Sequence, residues 1–256
     1  MINLNTNIAK QRALFYINQQ MQVIENSFAL EIRRVLNKQY SLSADFVELG
    51  STDFDHVMGV TYKMFSEVMN KYYKRIYNLF GNIIIDAVEQ EKSFNRYERK
   101  GIIKDTFLKS IIEWVRRHFS KQIIIIDKVT TDKIKKIVAD GVTKGLSNKD
   151  IAASIRKLST EINAKRAMKI ARTETHTVCQ KSMQTAMDAT ELNYEHEWMS
   201  ASDKRTRKQH VKANGERVPK GKPFTRTGES LMYPGDPAGS GWNIIHCRCI
   251  ELFHTV

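Results

Sequence analysis

From Ala9 to Lys38 the apolar residues Leu14, Ile17, Met21, Ile24, Phe28, Ile32 and Leu36 recur at the spacing of one helix face, with polar residues between them. The pattern predicts one long amphipathic helix or two shorter ones, broken at Ser41-Leu-Ser-Ala-Asp45. A second block runs from about Phe54 to Glu91, with Val57, Val60, Met64, Val68, Tyr72, Ile76, Leu79 and Phe80 as its stripe and Lys and Arg opposite. It contains no proline, and helices of that length pack on one another or on a large partner.

A third block, Thr106 to Ile126, carries Phe107, Ile111, Trp114, Val115 and Phe119; its end, Ile123-Ile-Ile-Ile126, fits a short buried strand equally well. Thr131-Asp132 reads as a helix start before Ile134 to Gly141. Ser147-Asn-Lys-Asp150 offers an N-cap with an acid three residues on, before Ile151 to Leu158. From about Thr160 to Thr190 a long helix carries Ile162, Ala167, Ile170, Ala171, Glu174, Val178 and Met183. Then Tyr194-Glu-His-Glu-Trp198 alternates as a strand does, residues 204–228 are polar and turn-rich, and Ile244 to Phe253 returns as a strand. The expected class is α+β: a predominantly helical N-terminal region, residues 1–129, and a second domain, residues 130–256, that ends in a small turn-rich α+β module.

The chain of 256 residues has a formal charge of +13, which favours an acidic partner, most simply nucleic acid. Three cysteines, Cys179, Cys247 and Cys249, form no disulfide framework, so the thiols are expected free or metal-bound in a reducing compartment. The start, Met1-Ile-Asn-Leu-Asn-Thr-Asn-Ile8, lacks the pattern of an export signal, and no apolar run reaches the roughly 18 residues of a membrane span. Synthesis in a cytoplasm without signal-directed export is the expectation.

The last quarter concentrates the unusual chemistry, with all four prolines, Cys247 and Cys249, and Trp198 and Trp242. On a helix, Arg172, His176 and Cys179 share a face and Glu174 points elsewhere; in an extended His246-Cys-Arg-Cys249, Cys247 and Cys249 share one side and His246 and Arg248 the other. If that strand lies across the helix, His176, Cys179, Cys247 and Cys249 form a candidate zinc set; otherwise they are buried packing residues and no cofactor is expected. His210 with Asp203 or Asp236 is the candidate set for a metal-dependent nuclease, an alternative reading beside a zinc-stabilised interaction module. Lys204, Arg205, Arg207, Lys208, Lys212, Arg217, Lys220, Lys222 and Arg226 make a basic stretch suited to non-specific contact with the phosphates of double-stranded DNA. Tyr233-Pro-Gly-Asp-Pro237 reads as a rigid turn, with Pro234-Gly235 suited to type II geometry. None of these sets makes a persuasive catalytic site, so a non-enzyme is expected.

The order of landmarks resembles the Mu F type minor head proteins of tailed bacteriophages, also called phage head morphogenesis proteins. It runs Ile170-Ala-Arg-Thr-Glu-Thr175, Trp198, Asp203-x-Arg205-x-x-x-x-His210, Gly215, Phe224, Tyr233-Pro-Gly-Asp-Pro237 and His246-Cys-Arg-Cys249, over roughly residues 130 to 252. That family often has Asn immediately before Cys-Arg-Cys, where this chain has His246. The resemblance implies a virion protein present in few copies, in the head interior or at the portal vertex, linked to head assembly and to DNA packaging or delivery. Portal, capsid or scaffold proteins would be its partners, a bacterial cytoplasm its place of synthesis, and the N-terminal helices its portal-docking or internal-virion element.

Overall fold

The computed structural model describes residues 7–90 and 96–256. Met1 to Thr6 of the N-terminal reading and Glu91 at the end of the second block lie outside them. Four long helices come first, α1 (Asn7–Glu48), α2 (Phe54–Gln90), α3 (Arg96–Thr143) and α4 (Asn148–Ala189). The module follows as β1 (Tyr194–Met199), α5 (Lys208–Ala213), β2 (Arg217–Pro219), α6 (Gly241–Ile244) and β3 (Ile250–Thr255). The class is α+β with a helical N-terminal region, as expected.

Two compact units share these elements: one from Met1–Glu25, Tyr73–Val115 and Arg172–Val256, the other from Asn26–Tyr72 and Arg116–Ala171. In the second, Tyr40, Ala44, Val47, Phe54, Ile134, Ile151, Ala152 and Ile155 form a buried cluster. Here α1 does not break at Ser41 to Asp45. Ser43 and Ala44 are fully buried inside the helix, so these small residues allow close packing rather than termination. The helix ends at Glu48, and Gly50 two residues on, with φ of +81°, suits the left-handed cap, its N–H donating to Val47 O and Ser51 N–H to Phe46 O.

The other boundaries shift for equally local reasons. Ile123 and Ile126 are buried while Ile124 and Ile125 face solvent, a helical period that removes the strand alternative. Thr131-Asp132 starts no helix; Asp132 pairs with Lys128 at i, i+4 within α3. Ser147 does cap α4, its Oγ accepting from Asp150 N–H at 3.2 Å, and that one helix then runs through Thr160 to Ala189. On α2 the buried stripe is Val57, Thr61, Phe65, Met69, Tyr72, Tyr73, Ile76 and Phe80, while Val60 is exposed and Met64 and Val68 are half-buried. The apolar arc of α2 is wide enough to contain both stripes, and Phe65, Met69 and Tyr73 extend the inner one.

In the first unit the sheet has the order β2-β1-β3, all antiparallel, with Glu197 opposite Arg217 and Trp198 opposite Glu251. Trp198, Ala213, Phe224, Leu231, Cys247 and Cys249 make its core cluster. From Glu174 to Met187, α4 is buried at every position but Lys181, despite its many polar residues. Those residues bond the module: Gln180 Oε1 accepts from Glu251 N–H at 2.8 Å, and Gln184 Nε2 donates to Met232 O at 3.0 Å. Such bonds let a helix covered on all sides do without an apolar stripe, although Thr175 Oγ1, His176 Nδ1 and Thr185 Oγ1 are left without a hydrogen-bond partner.

Candidate functional site

Tyr233 to Pro237 forms the type II turn expected of it: Asp236 N–H donates to Tyr233 O, and Gly235 at the third position has φ +83°. The turn is fixed to α4. Thr177 Oγ1 donates to Gly235 O at 2.9 Å, and the His176 ring lies where a side chain at residue 235 would start, 2.4 Å from a constructed Cβ. His176 bonds Cys249 O through Nε2 at 2.7 Å, and burial pushes its pKa down to about 4. It is therefore a neutral donor that joins α4 to both motif loops. The Asp236 carboxylate accepts from Met232 N–H and Ala238 N–H and closes the loop on itself.

His246 is not extended, with φ +60°, and Cys247 to Cys249 precede the assigned strand. Cys247 N–H donates to Ile244 O and closes the turn after α6, and from there Cys247 and Cys249 are buried on one side while Arg248 points to the other. Arg248 makes a two-pronged ion pair with Glu25 of α1, at 2.5 Å and 3.0 Å, and Arg172 Nε meets the same carboxylate at 3.3 Å. Glu174 accepts instead from Tyr73 O–H at 2.6 Å. The arginines of Arg172-Thr-Glu174 and Cys-Arg-Cys are thus structural partners of one buried acid.

The thiols face His210. Its Nδ1 is 3.6 Å from Cys247 Sγ and 3.4 Å from Cys249 Sγ, and its Nε2 is 3.1 Å from Asn243 Oδ1. Trp198 meets the imidazole edge-on at 5.3 Å. Burial pushes Cys249 well above the ordinary thiol range; Cys247, against the same burial effect, is lowered by its hydrogen bond with Cys249. Of the four residues grouped from the sequence, only Cys247 and Cys249 share this cluster. His176 approaches only the Cys249 carbonyl there, and Cys179 contacts Met183 and Gln180.

A cavity of about 910 Å³ opens beside the cluster, lined by His210, Cys247 and Cys249 together with Asp203, Arg205, Arg207 and Arg248 among others. Asp203 and His210 both border it; Asp236 is not among its lining residues. Asp203 Oδ1 accepts from Arg205 N–H and Thr206 O–H, so that carboxylate shapes the turn before α5. The nine cations are not equivalent. Arg207 donates to Ile245 O and lies over Trp242, Arg217 pairs with Glu197, and Lys220 sits over Tyr194. All but the half-buried Arg207 are exposed, and Arg205 also reaches Asp203 at 3.5 Å.

Two consequences are measurable. Glu197 is buried among Lys10 Nζ at 2.6 Å, Arg217 Nε at 3.0 Å and His254 Nε2 at 2.8 Å. Burial raises its pKa, but hydrogen bonds from His254, Lys10 and Arg217 outweigh that and hold it at about 2, against an ordinary 4.5. The pairing therefore contributes stability above pH 4.5 that is lost as pH falls from 4.5 towards 2. Glu197→Gln should be less stable at neutral pH and show a flatter loss over that window, measured by urea unfolding at stepped pH. His246 has φ +60°, a conformation that Asn tolerates better than His, so His246→Asn should stabilise the fold. A small gain in denaturant unfolding is expected; a loss would contradict the backbone explanation.

Glu25 and Asn243 were not singled out by motif. Glu25 does leave a signal, because an acid four residues after Met21 and three before Phe28 lies beside the apolar stripe of α1 and needs partners. The family model described as Phage Mu protein F like protein matches residues 132–251. No curated protein and no solved structure matches the chain. The matched segment contains each landmark from Ile170 to Cys249 that builds these turns and this cluster, and over this stretch the chain is similar to the phage Mu F like proteins.

Proposed function

We propose that the protein is a minor capsid component at the portal vertex of a tailed bacteriophage, acting in head assembly and in DNA packaging or delivery without catalysing a reaction. The observation that carries this reading is the family match over residues 132–251, whose motif residues serve as turn formers, clamps and buried ion pairs. Residues 130–256 are the head-type domain, and residues 1–129 are the portal-docking or internal-virion element. Ile8, Phe15, Tyr16 and Val23 of α1 are exposed apolar residues suited to such docking. The expected site of action is the virion, after synthesis in the bacterial host cytoplasm, with portal and capsid or scaffold proteins as partners.

The test is co-sedimentation of the purified chain with procapsids assembled with and without portal. Retention only on portal-bearing procapsids supports the reading, and absence from both rejects it. Contact with double-stranded DNA is assigned to Lys204, Arg205, Lys208, Lys212, Lys222 and Arg226; Arg217 and Lys220 are exposed as well but are engaged with Glu197 and the Tyr194 ring. Six phosphate contacts predict an affinity loss of about a thousandfold between about 50 and 200 mM salt. Binding that ignores salt, or that survives neutralising all six side chains, contradicts this assignment.

A further inference from the structure

His210, Cys247 and Cys249 are fully or nearly fully buried, and their donor atoms all lie within 4.8 Å of one another. The histidine is oriented for ligation. The Asn243 oxygen 3.1 Å from Nε2 accepts a hydrogen bond, so Nε2 carries the ring proton and the Nδ1 lone pair faces the two sulfurs. Asn243 also donates to the Glu229 carboxylate, which can only accept, and this fixes the amide with its oxygen towards His210.

The spacing also fits a particular ion. Bond lengths of about 2.3 Å to sulfur and about 2.05 Å to nitrogen place the two donors about 3.6 Å apart on the edge of a tetrahedron. The Nδ1 to Sγ distances of 3.6 Å and 3.4 Å lie at or just inside that edge. Two cysteines and a histidine form a donor set that selects zinc over the oxygen-seeking cations.

We propose that His210 Nδ1, Cys247 Sγ and Cys249 Sγ bind one zinc ion, with its fourth position facing the adjoining cavity. The ion clips α5 to the segment before β3, with loss of both thiol protons. The three residues and Asn243 fall within the segment matched by the family model, but the assignment rests on geometry and does not depend on where the protein sits in a particle. Cys179, bonded elsewhere, takes no part.

The test uses the full chain, purified reduced, stripped with chelator and titrated with Co²⁺. One equivalent should bind with the near-ultraviolet charge transfer of thiolate ligation and be displaced by Zn²⁺. Cys247→Ser and Cys249→Ser should each lower that band and lose stoichiometric metal, Cys179→Ala should retain one equivalent, and Asn243→Ala should weaken binding about 10–100-fold. If the serine variants do not fold, the cobalt spectrum of the unaltered chain decides. No thiolate band in that spectrum, a Cys247–Cys249 disulfide in the reduced preparation, or metal lost from Cys179→Ala but kept by Cys247→Ser would overturn the proposal.

Discussion

Glu25→Ala is expected to destabilise the protein by about 3 kcal/mol, the scale for removing one partner of a buried ion pair. Glu25 is fully buried and neutralises Arg248 and Arg172 together, while both guanidinium groups are partly exposed. Truncation leaves two cations facing each other without the acid between them. Because Arg248 stands between Cys247 and Cys249, the loss should also loosen the segment that carries the thiols. Denaturant unfolding of Glu25→Ala, Arg248→Ala and the double variant measures the coupling, for which contacting residues give about 0.5–3 kcal/mol. Additive losses would mean that the pair is incidental to the fold.

Gly235→Ala should cost a similar amount, about 3 kcal/mol, from two separate sources. A φ of +83° is strained for any residue with a Cβ, and that Cβ would stand 2.4 Å from the buried His176 ring. The ring cannot easily withdraw, since its Nε2 is held by Cys249 O. Displacing it would disturb α4, the Tyr233 to Pro237 turn and the residue before β3 together. Thermal unfolding of Gly235→Ala and of Gly228→Ala compares a crowded glycine of positive φ with one of similar φ in open space, which separates the clash from the strain. A Gly235→Ala protein as stable as the parent would refute the proposed clamp.

These contacts show what a linear reading captures. The stripe from Leu14 to Leu36 is buried throughout, because a run spaced for one helix face leaves few options. The type II turn at Pro234-Gly235 was equally legible, since both residues restrict local dihedral angles. Termination was harder. Ser41 to Asp45 and Thr131-Asp132 contain residues common at helix ends, yet tertiary packing and an i, i+4 pair keep both inside helices. The buried half of α4 was legible as a helix, but not as a helix covered on all sides, because Thr177 and Gln184 find their partners in distant loops and Gln180 in β3.

The candidate site was legible in its residues and not in its grouping. Cys247 and Cys249 converge as a Cys-x-Cys pattern allows, ahead of the strand rather than within it, and the imidazole beside them comes from α5. Helical spacing placed His176 and Cys179 on one face without saying which loops cross it. His176 instead meets a carbonyl and a glycine, a backbone role that side-chain chemistry does not announce. The left-handed conformation at His246 gives a physical reason why Asn suits that position in the family pattern.

The capsid assignment is tested most directly by quantitative mass spectrometry of gradient-purified, DNA-filled particles from an infected or induced host. A minor head protein should be present in every preparation at a small fixed ratio to the major capsid protein and should be missing from empty shells assembled without portal. Its absence from filled particles, with the protein abundant in the lysate, would contradict the assignment.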